Sequence, residues 1–162
     1  MAKRVRPAAT PVGDAYEVAV RYLAGRPHTV AEIHRHLRSK KFDSDTVDHA
    51  IDRLRAQRYV DDEAFARWWV EQRDRFKPRG DRALRTELAQ KGVGRDVVDI
   101  VLGERAPDAA VEQAQRALSR PLTRWANMPD AEKRRKIHAF LAARGFDYDT
   151  IDAVMRREVT DE

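Results

Sequence analysis

The sequence contains no cysteine. That excludes disulfides, a cysteine nucleophile and cysteine-based zinc sites. It has no apolar run near the roughly 20 residues that a membrane-spanning helix needs, so no membrane partner is expected. The N-terminal residues Lys3, Arg4, Arg6 and Pro7 are basic but precede no apolar signal core, which points to a cytoplasmic protein. There is no phosphate-cradling glycine loop, no Gly-x-Ser-x-Gly and no His-Glu-x-x-His. Among the five histidines, His34 and His36 stand two apart on a predicted helix and do not share a face. No catalytic residue, metal site or cofactor is therefore expected, and the reading is of a protein that is not an enzyme. No stretch alternates apolar and polar residues for long, so strands are not expected either.

What is present is charge and helical periodicity. The 162 residues are 42% hydrophobic and 36% charged, with a net charge of +5. Residues 67–95 carry nine Lys/Arg against four Asp/Glu, and residues 116–138 seven against two. Residues 43–64 reverse this with three against seven, residues 96–112 with one against five, and residues 147–162 with two against six. Such segregation fits one kind of face that meets an anion and another that meets water or a basic partner.

Residues 1–13, with Pro7, Pro11 and Gly13, read as a disordered basic arm. Asp14 then caps a helix whose apolar face includes Ala15, Val18, Ala19, Tyr22 and Leu23. Thr29 with Glu32 forms a capping box ahead of Val30, Ile33 and Leu37. Asp43 starts a third helix with Val47, Ile51 and Leu54 at helical spacing. Asp61 or Asp62 caps a fourth, on which Phe65, Trp69, Gln72 and Phe76 share a face beside Trp68. The Asp61-Asp62 pair is read as capping rather than as a paired-carboxylate site, and Trp69 as core rather than as a platform for bases. Pro78 and Gly80 stop this helix, and the next places Leu84 and Leu88 inward and ends at Gly92. Arg120–Pro129, with two prolines and Trp125, reads as a loop, and Asn127 as the cap of a helix from about Met128 to Ala143.

The pattern repeats. Leu37-x4-Phe42-Asp43-x3-Val47-x3-Ile51 is echoed by Leu88-x4-Val93-Gly94-x3-Val98-x3-Leu102, and again by Leu141-x4-Phe146-Asp147-x3-Ile151-x3-Met155. The copies stand 51 and 53 residues apart. Each unit is three short amphipathic helices that bury little alone, so an all-α, elongated tandem array of three three-helix repeats is expected. The units are taken as 14–58, 59–104 and 105–158, with a tail at 159–162.

The basic residues are the candidates for function. Arg73 and Lys77 are i, i+4 partners; Arg79, Arg82, Arg85 and Lys91 span the next helix and the loop before it; Arg134, Arg135 and Lys136 extend the track. Arg79–Arg85 carries three arginines against one acid, Asp81. A cation placed on a phosphate adds affinity by counterion release, independent of base sequence.

Tyr59-Val60-Asp61-Asp62-x-x-Phe65-Ala66, then Arg73, Gly80 and Glu87-Leu88-x-x-Lys91-Gly92-Val93, resembles the signature of the RecX family of bacterial recombination regulators. Ala15-x3-Ala19-x2-Tyr22-Leu23-Ala24 and Glu32-Ile33-x3-Leu37 are similar to that family's first repeat. The resemblance covers about residues 14–157, with Tyr59, Asp61, Asp62, Phe65, Gly80, Leu88 and Gly92 as structural signature positions. Lys41 departs from it, standing where a glycine is usual, and the third unit diverges around Arg120–Pro129. The resemblance implies a curved, non-enzymatic protein that binds RecA and lodges in the groove of the RecA–single-stranded DNA filament; the array form points to a monomer. It further implies restraint of ATP hydrolysis, strand exchange and the co-protease signal of the SOS response, with DNA touched through the basic faces. The acidic faces, including Asp48 and Asp52, would then meet RecA. The alternative is a winged helix-turn-helix transcriptional regulator, on Thr29-Val30-x-Glu32-Ile33 and the Ser44–Leu54 helix. That helix is acidic, and a wing would need a hairpin where Asp61 starts a helix.

Overall fold

A computed structural model describes residues 14–160, with side chains to Arg157. The expected basic arm at 1–13 lies outside the described residues, as do residues 161–162 of the expected tail. Among the described residues there are nine helices and no strand: α1 (Ala15–Leu23), α2 (Val30–Ser39), α3 (Ser44–Ala56), α4 (Asp62–Phe76), α5 (Asp81–Gln90), α6 (Arg95–Gly103), α7 (Ala109–Trp125), α8 (Asp130–Ala143) and α9 (Tyr148–Thr160). The fold is all-α, and the helices follow one another in three groups of three. None is long and apolar enough to cross a membrane. The hairpin that a wing requires is absent after α3, where α4 begins.

The helix starts follow local chemistry. Asp14 accepts from the Tyr16 amide, Asp43 from Thr46, Asp61 from Glu63 and Ala64, and Asp147 from Thr150. Thr29 and Glu32 form the reciprocal capping box, which satisfies two of the amides that a helix start leaves unpaired. Gly94 starts α6 with no side-chain cap. The adjacent aspartates divide the work: Asp61 caps its own helix, while Asp62 Oδ1 accepts from the Val30 amide of α2 at 2.9 Å.

The helix ends explain the repeated Leu-x4-Phe spacing. Lys41, Gly92 and Gly145 take φ of 74°, 83° and 84°, the left-handed turn that lets the chain fold back over the last helical carbonyls. The Phe42 amide then bonds the Leu37 carbonyl, and the Phe146 amide that of Leu141. The two residues joined this way are both buried, as the apolar contact accompanying such a cap requires.

The chain forms two compact units. One runs to Phe65 and takes in Lys91–Val93; the other comprises Ala66–Gln90 and the chain from Gly94 on. The first packs Ala15, Ala19, Ile33, Leu37, Phe42, Val47, Ile51 and Leu54 together. Within it, the Thr29 hydroxyl donates to the Lys91 carbonyl at 2.7 Å, and a methyl group on Gly92 would meet the Ala31 Cβ at 2.4 Å. Within the second unit, the Gly80 amide donates to the Arg144 carbonyl, and Gly145 lies against Ala83. A left-handed turn thus docks twice on the start of a helix from the preceding repeat. The second unit has a core of Ala114, Leu118, Ile137, Leu141, Phe146, Ile151 and Val154.

Four expectations are corrected. Arg120–Trp125 is not loop but the last third of α7, with Pro121 inside the helix and buried. Proline there removes the amide that would bond the Ala117 carbonyl, but its ring is buried. Asn127 is not a cap: α8 starts at Asp130 behind Pro129. Phe76 does not complete an inward aromatic face; it stands 69% exposed at the end of α4, whereas Phe65 is 2% exposed. Trp68 and Trp69 are half-buried. The tail expected from 159 begins as helix, because α9 runs to Thr160.

Candidate functional site

The basic residues singled out by the sequence divide into those that hold helices together and those that face outward. Arg73 is of the first kind. Its Nε donates to Glu87 Oε2 at 2.8 Å, and its guanidinium lies over the Trp69 ring, 4.7 Å from the centroid. The Trp69 indole N–H donates to the same oxygen at 2.9 Å. Arg79 Nε stands 3.7 Å from the other Glu87 oxygen, close enough for charge attraction but too far for a hydrogen bond. One carboxylate on α5 therefore gathers two arginines and a tryptophan from α4 and the loop after it.

Arg82 donates to the Ala142 carbonyl at 2.7 Å, tying α5 to the end of α8. Arg85 pairs with Asp99 of α6. Asp99 also draws Arg95 to 3.9 Å. The acids that balance this segment were invisible at helical spacing, since Glu87 and Asp99 each stand 14 residues from the arginine they hold. Arg105, which the sequence reading passed over, is 10% exposed and spans Asp74 and Asp81. Burial pushes the Asp74 carboxyl up, and the Arg105 charge only partly pulls it back.

Lys91 belongs to the first unit and reaches Glu32 Oε1 at 3.1 Å. Glu32 is 8% exposed. It also receives Arg26 Nη2 at 3.1 Å and the Thr29 amide at 3.2 Å, and lies 3.1 Å from His28 Nδ1. Burial alone would raise the Glu32 carboxyl, but the hydrogen bonds from Arg26, Lys91 and Thr29 override it and hold it at about 2. Burial, and then the Arg26 charge, push His28 below the usual imidazole range. Tyr22 stacks with both His28 and His36, each at 3.9 Å between centroids. His28 packs in the buried polar knot at the start of α2, while His36 lies half-buried in the last turn of that helix.

The remaining candidates face outward. Arg134 and Arg135 are exposed on α8, Lys136 is half-buried beside them, and Lys77 is exposed after α4. Arg135 Nε makes only a local bond to the Ala131 carbonyl.

A second basic feature lies in the same unit, and among these candidates only Lys77 takes part in it. Arg116, Arg120 and Arg124 stand at i, i+4 and i+8 on α7, so they rise one above another along one face. With Arg75, Lys77 and Arg144 they line a cavity of about 510 Å³ that has no carboxylate in its wall. The spacing of the three α7 arginines was legible, but Pro121 concealed that the helix continues through them.

Family models cover most of the chain. One described as RecX, first three-helix domain, matches residues 15–54; the second three-helix domain matches 61–102 and the third 104–155. The chain is similar to the regulatory protein RecX of Chlorobium phaeobacteroides, 35% identical over 88% of this chain and 94% of that one. It is similar also to those of Chlorobaculum tepidum, 34% identical over 92% and 91%, and of Mycobacterium avium, 32% identical over 92% and 87%. The crystal structure of RecX from Lactobacillus salivarius shares the fold, with a TM-score of 0.81 at 23% identity over 88% of this chain and 93% of that one. The chain belongs to the RecX family of regulatory proteins.

Proposed function

We propose that this protein is a non-enzymatic regulator that binds RecA and its single-stranded DNA filament, inhibiting ATP hydrolysis, strand exchange and the SOS co-protease activity. The observation that carries the reading is membership of a regulatory family along nearly the whole described chain, joined to the signature from Tyr59 to Val93. In this reading the protein acts in the cytoplasm as a monomer.

Charge supports a direct approach to phosphate. Lys77, Arg82, Arg134, Arg135 and Lys136 carry cations on the second unit that no carboxylate among the described residues pairs, and each phosphate so neutralised releases counterions. Arg73, Arg79, Arg85 and Lys91 contribute mainly by holding the helices that present the others, because their charges already face Glu87, Asp99 and Glu32. The acidic faces, with Asp48 and Asp52 on α3, meet RecA.

Sedimentation of RecA filaments with this protein tests the reading. Wild-type protein is expected in the pellet with RecA and DNA. Changing Arg134, Arg135 and Lys136 together to Ala is expected to weaken retention about tenfold and to flatten its salt dependence. A well-folded triple variant retained as tightly as wild type would remove DNA contact by these residues from the account. Asp48→Lys with Asp52→Lys, if retained undiminished, would remove α3 from the RecA-facing surface.

A further inference from the structure

The cavity between the end of α4, α7 and α8 concentrates positive charge without internal neutralisation. None of Arg75, Lys77, Arg116, Arg120, Arg124 and Arg144 has a carboxylate at ion-pair distance among the described residues. The polar bonds these side chains do make are weak: Arg116 reaches Gln113 Oε1 at 3.3 Å and the Arg75 carbonyl at 3.4 Å. Asp74 feels the Arg116 charge from a distance, but is itself held by Arg105.

Arg144 is the sharpest sign of a missing partner. Its Nε is buried and has no acceptor, and the Nε of neighbouring Arg79 is in the same position. Burial, and then the Arg79 charge, push the Arg144 guanidinium below the usual arginine range. Arg79 has Glu87 at 3.7 Å, but half-buried Arg144 feels the Arg79 charge with no carboxylate of its own, and an anion beside it would recover that cost.

The wall is not uniformly polar. Phe140 and Phe76 both line the cavity. Arg144 lies over the Phe140 ring at 4.3 Å and Arg75 beside the Phe76 ring at 5.2 Å. Phe76 remains 69% exposed at the rim, where a flat ring system can stack on it. The volume falls within the roughly 300–1,000 Å³ typical of small-ligand sites. A nucleic-acid strand crossing such a cavity brings one negative charge per nucleotide. A terminal phosphate alone brings about −1.5 to −2 at neutral pH, and each further phosphate in the chain adds to it. Six cations match the second arrangement better.

We propose that this cavity binds a nucleoside diphosphate or triphosphate, with the phosphate chain held by the α7 arginines and Arg144 and the base stacked on Phe76. Arginine forks grip phosphate oxygens in pairs, so Arg120 and Arg124 on one helix face seat successive phosphates. The site needs no RecA and stands or falls apart from the filament reading.

The test is isothermal titration of the full chain with ADP, ATP and inorganic tripolyphosphate, and competition with a short thymidine oligonucleotide. ADP and ATP are expected to bind. Arg120→Glu with Arg124→Glu is expected to weaken both at least tenfold; Arg21→Glu with Arg35→Glu, an equal charge change in the first unit, is expected to leave them unaltered. Phe76→Ala is expected to weaken ADP several-fold and tripolyphosphate not at all. Should the α7 double variant melt below wild type, Arg124→Ala serves the same comparison. Absence of heat with millimolar ADP and ATP would overturn the proposal, and so would equal losses from both charge-reversal pairs. Tripolyphosphate binding as tightly as ATP, with Phe76→Ala inert, would overturn the assignment to a nucleotide. An oligonucleotide displacing ADP at lower concentrations than ADP itself needs would give the cavity to a strand instead.

Discussion

The amide of Gly80 donates to the carbonyl of Arg144 at 3.0 Å, and the two backbones meet so closely that a methyl group on Gly80 would lie 2.2 Å from the Gly145 oxygen. Gly80 is one of the signature positions, and its role is space rather than a special dihedral. Gly145 needs its positive φ as well. Gly80→Ala is expected to cost roughly 3 kcal/mol, because the obstacle is backbone and cannot rotate away. Urea unfolding followed by tryptophan fluorescence measures this; a change under about 0.5 kcal/mol, the size of an ordinary surface substitution, would contradict the geometry.

The first repeat offers the reverse experiment. Lys41 holds φ of 74° where Gly92 and Gly145 stand in the other two repeats. A side chain in the left-handed region costs about 1 kcal/mol. Lys41→Gly is therefore expected to stabilise the first unit by roughly 0.5–1 kcal/mol, after the added flexibility of the unfolded chain is counted against it. A lower melting temperature in this variant would show that the Lys41 side chain contributes more than its strain.

The buried knot around Glu32 sets a pH dependence. Glu32 titrates at about 2 in the fold against an ordinary value of 4.5. Between those values the unfolded chain binds more protons than the folded one, so stability present above pH 4.5 is lost as pH falls toward 2. His28 adds to the same trend from higher pH: its folded value lies below 6.5, so protonation below that point favours the unfolded chain. Melting temperature is expected to fall on acidification below pH 6.5, more steeply below 4.5. Glu32→Gln is expected to lower stability at neutral pH and to flatten the steeper part. An acid profile parallel to wild type would place the titrating group elsewhere.

Local chemistry was the legible part of this chain. The Thr29–Glu32 box, the Asp14 and Asp43 caps and the Leu-x4-Phe spacing depend on residues within one or two turns, and each forms as expected. What sequence order hid was pairing between helices. Glu87 reaches Arg73 of α4 and Lys91 reaches Glu32 of α2, so residues that read as a free basic track are partly consumed in packing. Of the two aspartates that could cap α4, Asp61 does so, and the bond from the Val30 amide of α2 to Asp62 was not legible in the sequence. Pro121 misled for a physical reason: the rule that proline ends a helix prices the lost hydrogen bond but not a ring buried in the core. With the helix cut there, Arg116, Arg120 and Arg124 did not register as one face, and the cavity they line went unseen. Phe76 failed at the other limit: the helical face was extended to the last residue of α4, where the ring stands exposed.

The central claim is that this protein restrains the RecA filament. Its most direct test is the rate of ATP hydrolysis by RecA on single-stranded DNA, titrated with this protein well below one copy per RecA. The account predicts inhibition at these low ratios, since one copy lodged in a filament affects many neighbours. An unchanged rate at every ratio, with RecA and DNA shown to be active, would contradict it.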